Sequence, residues 1–224
     1  MCNLFKLSTR PHHLRELLLY AEEHDFPPRT YVSPGSPIAI IRAEKDARHL
    51  ALVRWGFVPS WAKEVAPGKP LTNARIETLL EKASFKHAVH RRRCLIPADG
   101  FYEWSDEIAR KQAYHIARAD GGPFAFAGLW EHWQGADGSE LETAAIVTTQ
   151  AFGPIASIHH RMPVIVAPTL YGDWLANERF EAENALALVQ SHPDRTLVAE
   201  PVQLERKAPP PRPAPEEPDQ LKLF

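Results

Sequence analysis

A cysteine stands second in the chain, behind the initiator methionine. A small second residue favours removal of Met1, which would leave an amine and a thiol on adjacent carbons of Cys2. The amine titrates at about 7.7–8.0 and the thiol at about 8.5, so neutral amine and some thiolate coexist near neutrality. Two reactions are then open. The thiol can attack an amide carbonyl with its own amine as base, as in amino-terminal-nucleophile hydrolases. Alternatively, the amine can form a Schiff base with an aldehyde, and the thiol can close a five-membered thiazolidine. Only an amino-terminal cysteine can do the second. Taken alone, Cys2 carries no assignment, and its partners must be sought in the rest of the chain.

Three polar sites are candidates. Asn73 follows Thr72 ahead of an apolar helical stripe, where either residue suits a helix N-cap. Glu103 lies between Tyr102 and Trp104 in a strand pattern, and alternation puts it on the face opposite its neighbours. A buried carboxylate there needs a partner, and a raised pKa would suit general acid–base work. His159 and His160 form a doublet that can equally be a hydrogen-bonded loop pair. The eleven histidines show no recurring ligand spacing, so no metal and no cofactor are expected. Cys94 opens an apolar strand and reads as a small core residue.

These groups need a frame to position them. The hydrophobic period predicts helices over 12–24 and 74–90, the latter with Ile76, Leu79, Leu80, Ala83 and His87 on one stripe. Strands are predicted over 37–42, 49–54, 93–97, 112–117, 124–130, 143–149, 163–167 and 197–202, several separated by turn dipeptides. Helices follow over 168–176 and 181–190. Strands outnumber helices without alternating with them. The expected class is therefore α+β: a mixed, largely antiparallel sheet or barrel-like core with peripheral helices, in a single domain.

The 224 residues carry 26 Lys+Arg against 28 Asp+Glu, a net charge of −2 that excludes a polycationic nucleic-acid condenser but not a local basic groove. Two cysteines cannot staple a secreted scaffold. The start lacks an apolar signal region, and no run approaches the length that spans a bilayer. A soluble cytoplasmic protein is expected, without membrane contact. Six of the 21 prolines crowd into 209–218, where they exclude helix and sheet. Residues 1–204 are thus read as the folded domain and 205–219 as a proline-rich tether, of which 208–218 alone would reach roughly 30 Å. Residues 220–224 remain as a terminal peptide.

WGFVPSW at 55–61, NARIET at 73–78, FYEW at 101–104 and HHRMP at 159–163, behind an MC start, resemble the SOS response-associated peptidase family. The resemblance spans the whole folded part. It implies covalent capture of abasic sites in single-stranded DNA, as part of the DNA-damage response. Cys2 would supply amine and thiol, and Asn73 would position the sugar or the amine. Glu103 would shuttle protons during Schiff-base formation and reversal. His159, or its neighbour His160, would assist opening of the sugar ring. Reversal of the cross-link and strand-incising lyase activity would follow from the same intermediate. The family's peptidase label covers self-processing, here removal of Met1.

Single-strand binding calls for cations interleaved with aromatic stacking surfaces. Arg75 and Arg161 flank the proposed chemistry, at positions whose family counterparts contact phosphates. Trp55, Trp61 and Trp104 are the stacking candidates, with at least one of Trp55 and Trp61 expected in the core. The run from His87 to Arg93 suits either phosphate binding or a helix C-terminus. Family members often begin MCGR where this chain has MCNL, and Leu4 cannot make an arginine's phosphate contact. The ending Gln220-Leu221-Lys222-Leu223-Phe224 looks like the peptide by which bacterial repair proteins dock on the sliding clamp. An extended segment of this kind buries Leu221, Leu223 and Phe224 in a preformed pocket while Gln220 hydrogen-bonds. The chain is expected to act as a monomer, associated with the nucleoid when on DNA. Two other functions stay open: a cysteine amino-terminal-nucleophile peptidase or amidohydrolase, and a non-catalytic, clamp-tethered DNA-binding module.

Overall fold

The computed structural model describes residues 2–22, 25–45, 47–65, 68, 70–105 and 112–204; the tether and the terminal peptide lie outside them. The described chain runs β1 (Phe5–Leu7), α1 (Pro11–Leu18), β2 (Arg29–Val32), β3 (Pro37–Glu44), β4 (Ala47–Trp55) and β5 (Asn73–Arg75). It continues through α2 (Lys86–Arg91), β6 (Arg93–Ala98), β7 (Gly100–Trp104), β8 (Ala113–Arg118), β9 (Phe124–Gln134) and β10 (Glu140–Gln150). The last elements are β11 (Arg161–Pro163), β12 (Ile165–Val166), α3 (Tyr171–Leu175), α4 (Ala182–Ser191) and β13 (Leu197–Val202).

Five strands close on themselves. β10 pairs β4, β4 pairs β3, β3 pairs β6, β6 pairs β9, and β9 returns to β10. Every step is antiparallel except β4 to β10. Closure leaves no open edge on the ring. β3, β6, β9 and β10 read as near-continuous apolar runs, and all six residues of β6 are buried, whereas β4 alternates. Gly128 is dictated by packing, because a Cβ there would lie 2.7 Å from Ile96 Cδ1 and 2.8 Å from Cys94 Sγ.

A second, antiparallel sheet, in the order β13-β8-β7-β1-β2, lies over this ring. Phe5 joins the two layers, with ring centroids 5.2 Å from Trp55 and 5.8 Å from Phe126. Burying one such ring stabilises the fold by about 2–3 kcal/mol. This single α+β domain with a barrel core and few helices is the class that the pattern predicts. Among the described residues, no helix is long and apolar enough to cross a membrane.

Two helical expectations fail. Helix 12–24 stops at Leu18 because Leu19 turns left-handed (φ 56°) and Tyr20 bridges to Arg48. The helix over 74–90 does not form as one piece: 73–75 are strand, 76–78 a 3-10 turn, and only Lys86–Arg91 are α-helical. Ile76 and Leu79 are buried, but Ala83 and His87 are exposed, so the supposed stripe is not a face. Cys94 is fully buried in β6, as expected, and burial pushes its thiol pKa up.

Candidate active site

Cys2 is held by β1. Extending the β1–β7 register (Phe5 opposite Phe101, Lys6 opposite Gly100) back along the chain brings Cys2 and Asn3 beside Glu103 and Trp104. The Tyr102 N–H donates to the Leu4 carbonyl at 2.9 Å, and the Cys2 Sγ lies 3.9 Å from the same oxygen. The thiol is fully buried. Burial first, and the Glu103 carboxylate second, push its pKa well above the usual thiol range. Cys2 is therefore a protonated thiol at neutral pH in this arrangement.

Glu103 is only 3% exposed. Alternation along β7 does separate it from its neighbours: Phe101 and Glu103 share one face, while the Tyr102 ring stacks between Tyr31 and His115 on the other.

Asn73 reaches Cys2 directly. β5 adds in parallel to β10, with Asn73 opposite Ile146. The side-chain Nδ2 donates to the Cys2 carbonyl at 3.0 Å, to Asn3 Oδ1 at 3.2 Å and to Thr72 Oγ1 at 3.0 Å. A backbone carbonyl can only accept, which fixes the orientation of the amide. Asn73 Oδ1 is buried and has no hydrogen-bond partner among the described residues. Neither Asn73 nor Thr72 is a helix N-cap, since the 3-10 turn starts at Ile76 and makes no side-chain cap. Thr72 is instead fixed through its carbonyl, which accepts the Trp55 Nε1–H at 3.0 Å, and through its hydroxyl on Asn3 Oδ1 at 3.0 Å. Asn3 and Thr72 are contributors that motif spacing missed. The signal for Asn3 lay in the MCNL start, where it replaces a glycine common in the resembled family.

His159 follows the 3-10 turn Gly153–Ser157. Its Nδ1 lies 2.9 Å from the Arg161 backbone N–H and 3.0 Å from the Arg161 carbonyl, so the ring is held through this one nitrogen. His160 stacks on it at 4.4 Å and is exposed. Of the doublet, His159 is thus the one held in place by the β11 backbone.

The proposed DNA contacts divide. Arg75 is exposed, Trp61 is 66% exposed and Trp104 is half-buried, so all three can meet a ligand. Trp55 cannot: it is fully buried against Phe5, and the stacking role expected of it is corrected to core packing. Arg161 is buried and forked onto Glu77 at 2.8 and 2.9 Å. In the run 87–93, Arg92 pairs with the buried Glu131, and Arg93 is buried under four carbonyls, so neither is a free phosphate ligand. Among the described residues, no three His, Cys, Asp or Glu side chains gather as a metal site would require.

The family model for SOS response associated peptidase (SRAP) matches residues 1–206. The chain belongs to this family. Among its SRAP relatives, the Bacillus subtilis protein named abasic site processing protein YoqW is 36% identical over 174 residues, 77% of this chain and 78% of that one. Abasic site processing protein YedK of Escherichia coli is 32% identical over 188 residues, covering 80% and 81% of the two chains. A crystal structure of a protein from Bordetella bronchiseptica superposes with a TM-score of 0.78 at 27% identity, covering 91% of this chain and all of that one. The SRAP match takes in Cys2, Asn73, Glu103 and His159.

Proposed function

We propose that this protein processes abasic sites in single-stranded DNA by cross-linking to them through Cys2, so shielding the lesion. The observation that carries the reading is the hydrogen bond from Asn73 to the Cys2 carbonyl, beside a buried Glu103. Two relatives whose names assign them abasic-site processing support it.

An amine-first order is the ordinary chemistry of an aminothiol with an aldehyde, and the buried thiol, its pKa raised, is consistent with it. With Met1 removed, the Cys2 amine attacks the C1′ aldehyde of the open-chain sugar first. The carbinolamine loses water to give an imine, with Glu103 taking and returning the protons. The thiol then adds to the imine carbon, its proton passing to the nitrogen, and the thiazolidine closes. One water leaves in all. Asn73 holds the Cys2 backbone through Nδ2, while its unpaired Oδ1 accepts from the amine or a sugar hydroxyl. His159 donates from Nε2 to the ring oxygen during opening. The same imine permits reversal, and lyase cleavage by loss of a C2′ proton and the 3′ phosphate.

The environment of Cys2 weighs against the peptidase alternative. A thiolate nucleophile is favoured by cations or a helix N-terminus, and here a carboxylate and full burial oppose it. Arg75, Trp61 and Trp104 are proposed to line the strand. Leu4, where the family often carries arginine, removes one phosphate contact. The protein is proposed to work as a cytoplasmic monomer, joining the nucleoid on DNA. Its tether and terminal Gln220–Phe224 are proposed to hold it on the sliding clamp at raised local concentration.

Incubation of the mature protein with abasic single-stranded DNA tests the reading. A heat- and denaturant-stable adduct that is lost in Cys2→Ala supports it. No adduct, or the same adduct from Cys2→Ala, overturns it. Cys2-dependent peptide hydrolysis without an adduct would establish the peptidase.

A further inference from the structure

β10 is flanked by β5, carrying the NARIET block, and by β11, carrying the RMP block. Asn73 lies opposite Ile146 and Arg161 opposite Gln150, so four residues of β10, roughly 13 Å of strand, separate the two rows. One contact spans them. Both Glu77 carboxylate oxygens accept from the Arg161 guanidinium, at 2.8 and 2.9 Å. Arg161 Nη2 also donates to the Thr148 carbonyl at 2.8 Å. The guanidinium is thereby clamped between the 3-10 turn after β5 and the last residues of β10, and the Arg161 backbone N–H and carbonyl both lie against His159 Nδ1.

We infer that Glu77 is a positioning residue: by forking Arg161 it fixes the backbone that holds the His159 ring through Nδ1. The Glu77 side chain is 42% exposed, so solvent screening discounts the pair's contribution to stability, while the buried Arg161 end, 10% exposed, keeps its geometry fixed. A bidentate carboxylate–guanidinium contact supplies direction, which a lysine or a neutral amide partner would not. The inference rests on the proposed role of His159 for its functional consequence, but not for its structural one.

Glu77→Gln tests it with two independent readings. Nitrogen-15 NMR of the His159 ring should show one predominant tautomer in the wild type and a mixture of tautomers in the variant. The maximal cross-linking rate should fall about tenfold, short of the full 10²- to 10⁴-fold value of an acid–base group, while the affinity for intact single-stranded DNA holds within twofold. Glu77→Asp keeps the charge and should recover most of the wild-type ring signature, and it serves as the reporter if Glu77→Gln fails to fold. An unchanged tautomer in Glu77→Gln, or one equally mixed in Glu77→Asp, overturns the inference. Absence of adduct from wild type would instead count against the cross-linking function and leave the NMR reading decisive for Glu77.

Discussion

The Asn73 side-chain amide donates to the Cys2 carbonyl at 3.0 Å, joining the start of the chain to a strand seventy-one residues later. This bond holds the backbone of the residue proposed, once Met1 is removed, to offer both an amine and a thiol to an aldehyde. Trp55 and Thr72 brace it from behind, the indole N–H on the Thr72 carbonyl and the Thr72 hydroxyl beside Asn73 Nδ2.

Asn73→Ala should therefore slow cross-linking by about tenfold or somewhat more. The single bond to Cys2 contributes about 1 kcal/mol, and loss of the Oδ1 acceptor adds to it. Because Asn73 sits in a three-residue strand, its removal should lower stability by no more than ~1 kcal/mol. A gel time course beside a denaturant melt separates the two effects.

Glu103→Gln should lower both the Cys2 thiol pKa and the cross-linking rate. The carboxylate raises the Cys2 thiol pKa, so its neutral replacement should lower that pKa, leaving burial as the remaining cause of elevation. Thiolate absorbance should thus appear at lower pH in the variant. Cross-linking should nevertheless slow by about 10²-fold, since the group proposed to shuttle protons is gone.

Arg93→Ala should destabilise the fold by about 3 kcal/mol or more. The Arg93 guanidinium donates to the carbonyls of Trp174, Val89, Ala176 and Phe180, and truncation leaves these acceptors without it. Burial holds its pKa down to about 10, yet it stays charged at neutral pH. Thermal unfolding measures the loss, and the residual folded fraction should retain cross-linking.

Deletion of 220–224 should abolish binding to purified sliding clamp while leaving cross-linking of free abasic DNA at the wild-type rate. Surface-immobilised clamp reads the first quantity and the gel assay the second. Unchanged clamp affinity removes the tail from the proposal.

The ring strands were legible because both their faces are covered, so β3, β6, β9 and β10 read as apolar runs. β1 and β5 were not, with three residues each and pairing partners far along the chain. Residues 74–90 misled the helical period because β10 captures Asn73–Arg75 as a parallel strand, a long-range contact that local spacing does not encode. The site followed the same division. Cys2, Asn73 and Glu103 were nameable from their motifs, whereas the Glu77–Arg161 fork and the Asn3 contact depend on strands meeting across β10 and at the chain start. Trp55 and Trp61 share one motif and differ completely in exposure, 0% against 66%, a distinction set by the Phe5 contact from β1.

The central claim is that amine and thiol of Cys2 together close a ring on the abasic aldehyde. Intact-mass measurement of the adduct formed without reductant tests it most directly. A thiazolidine gives the mass of the protein lacking Met1 plus the DNA minus one water, stable to heat, with the Cys2 thiol no longer alkylated after denaturation. An adduct seen only after borohydride trapping, or one whose Cys2 thiol still alkylates, would contradict it.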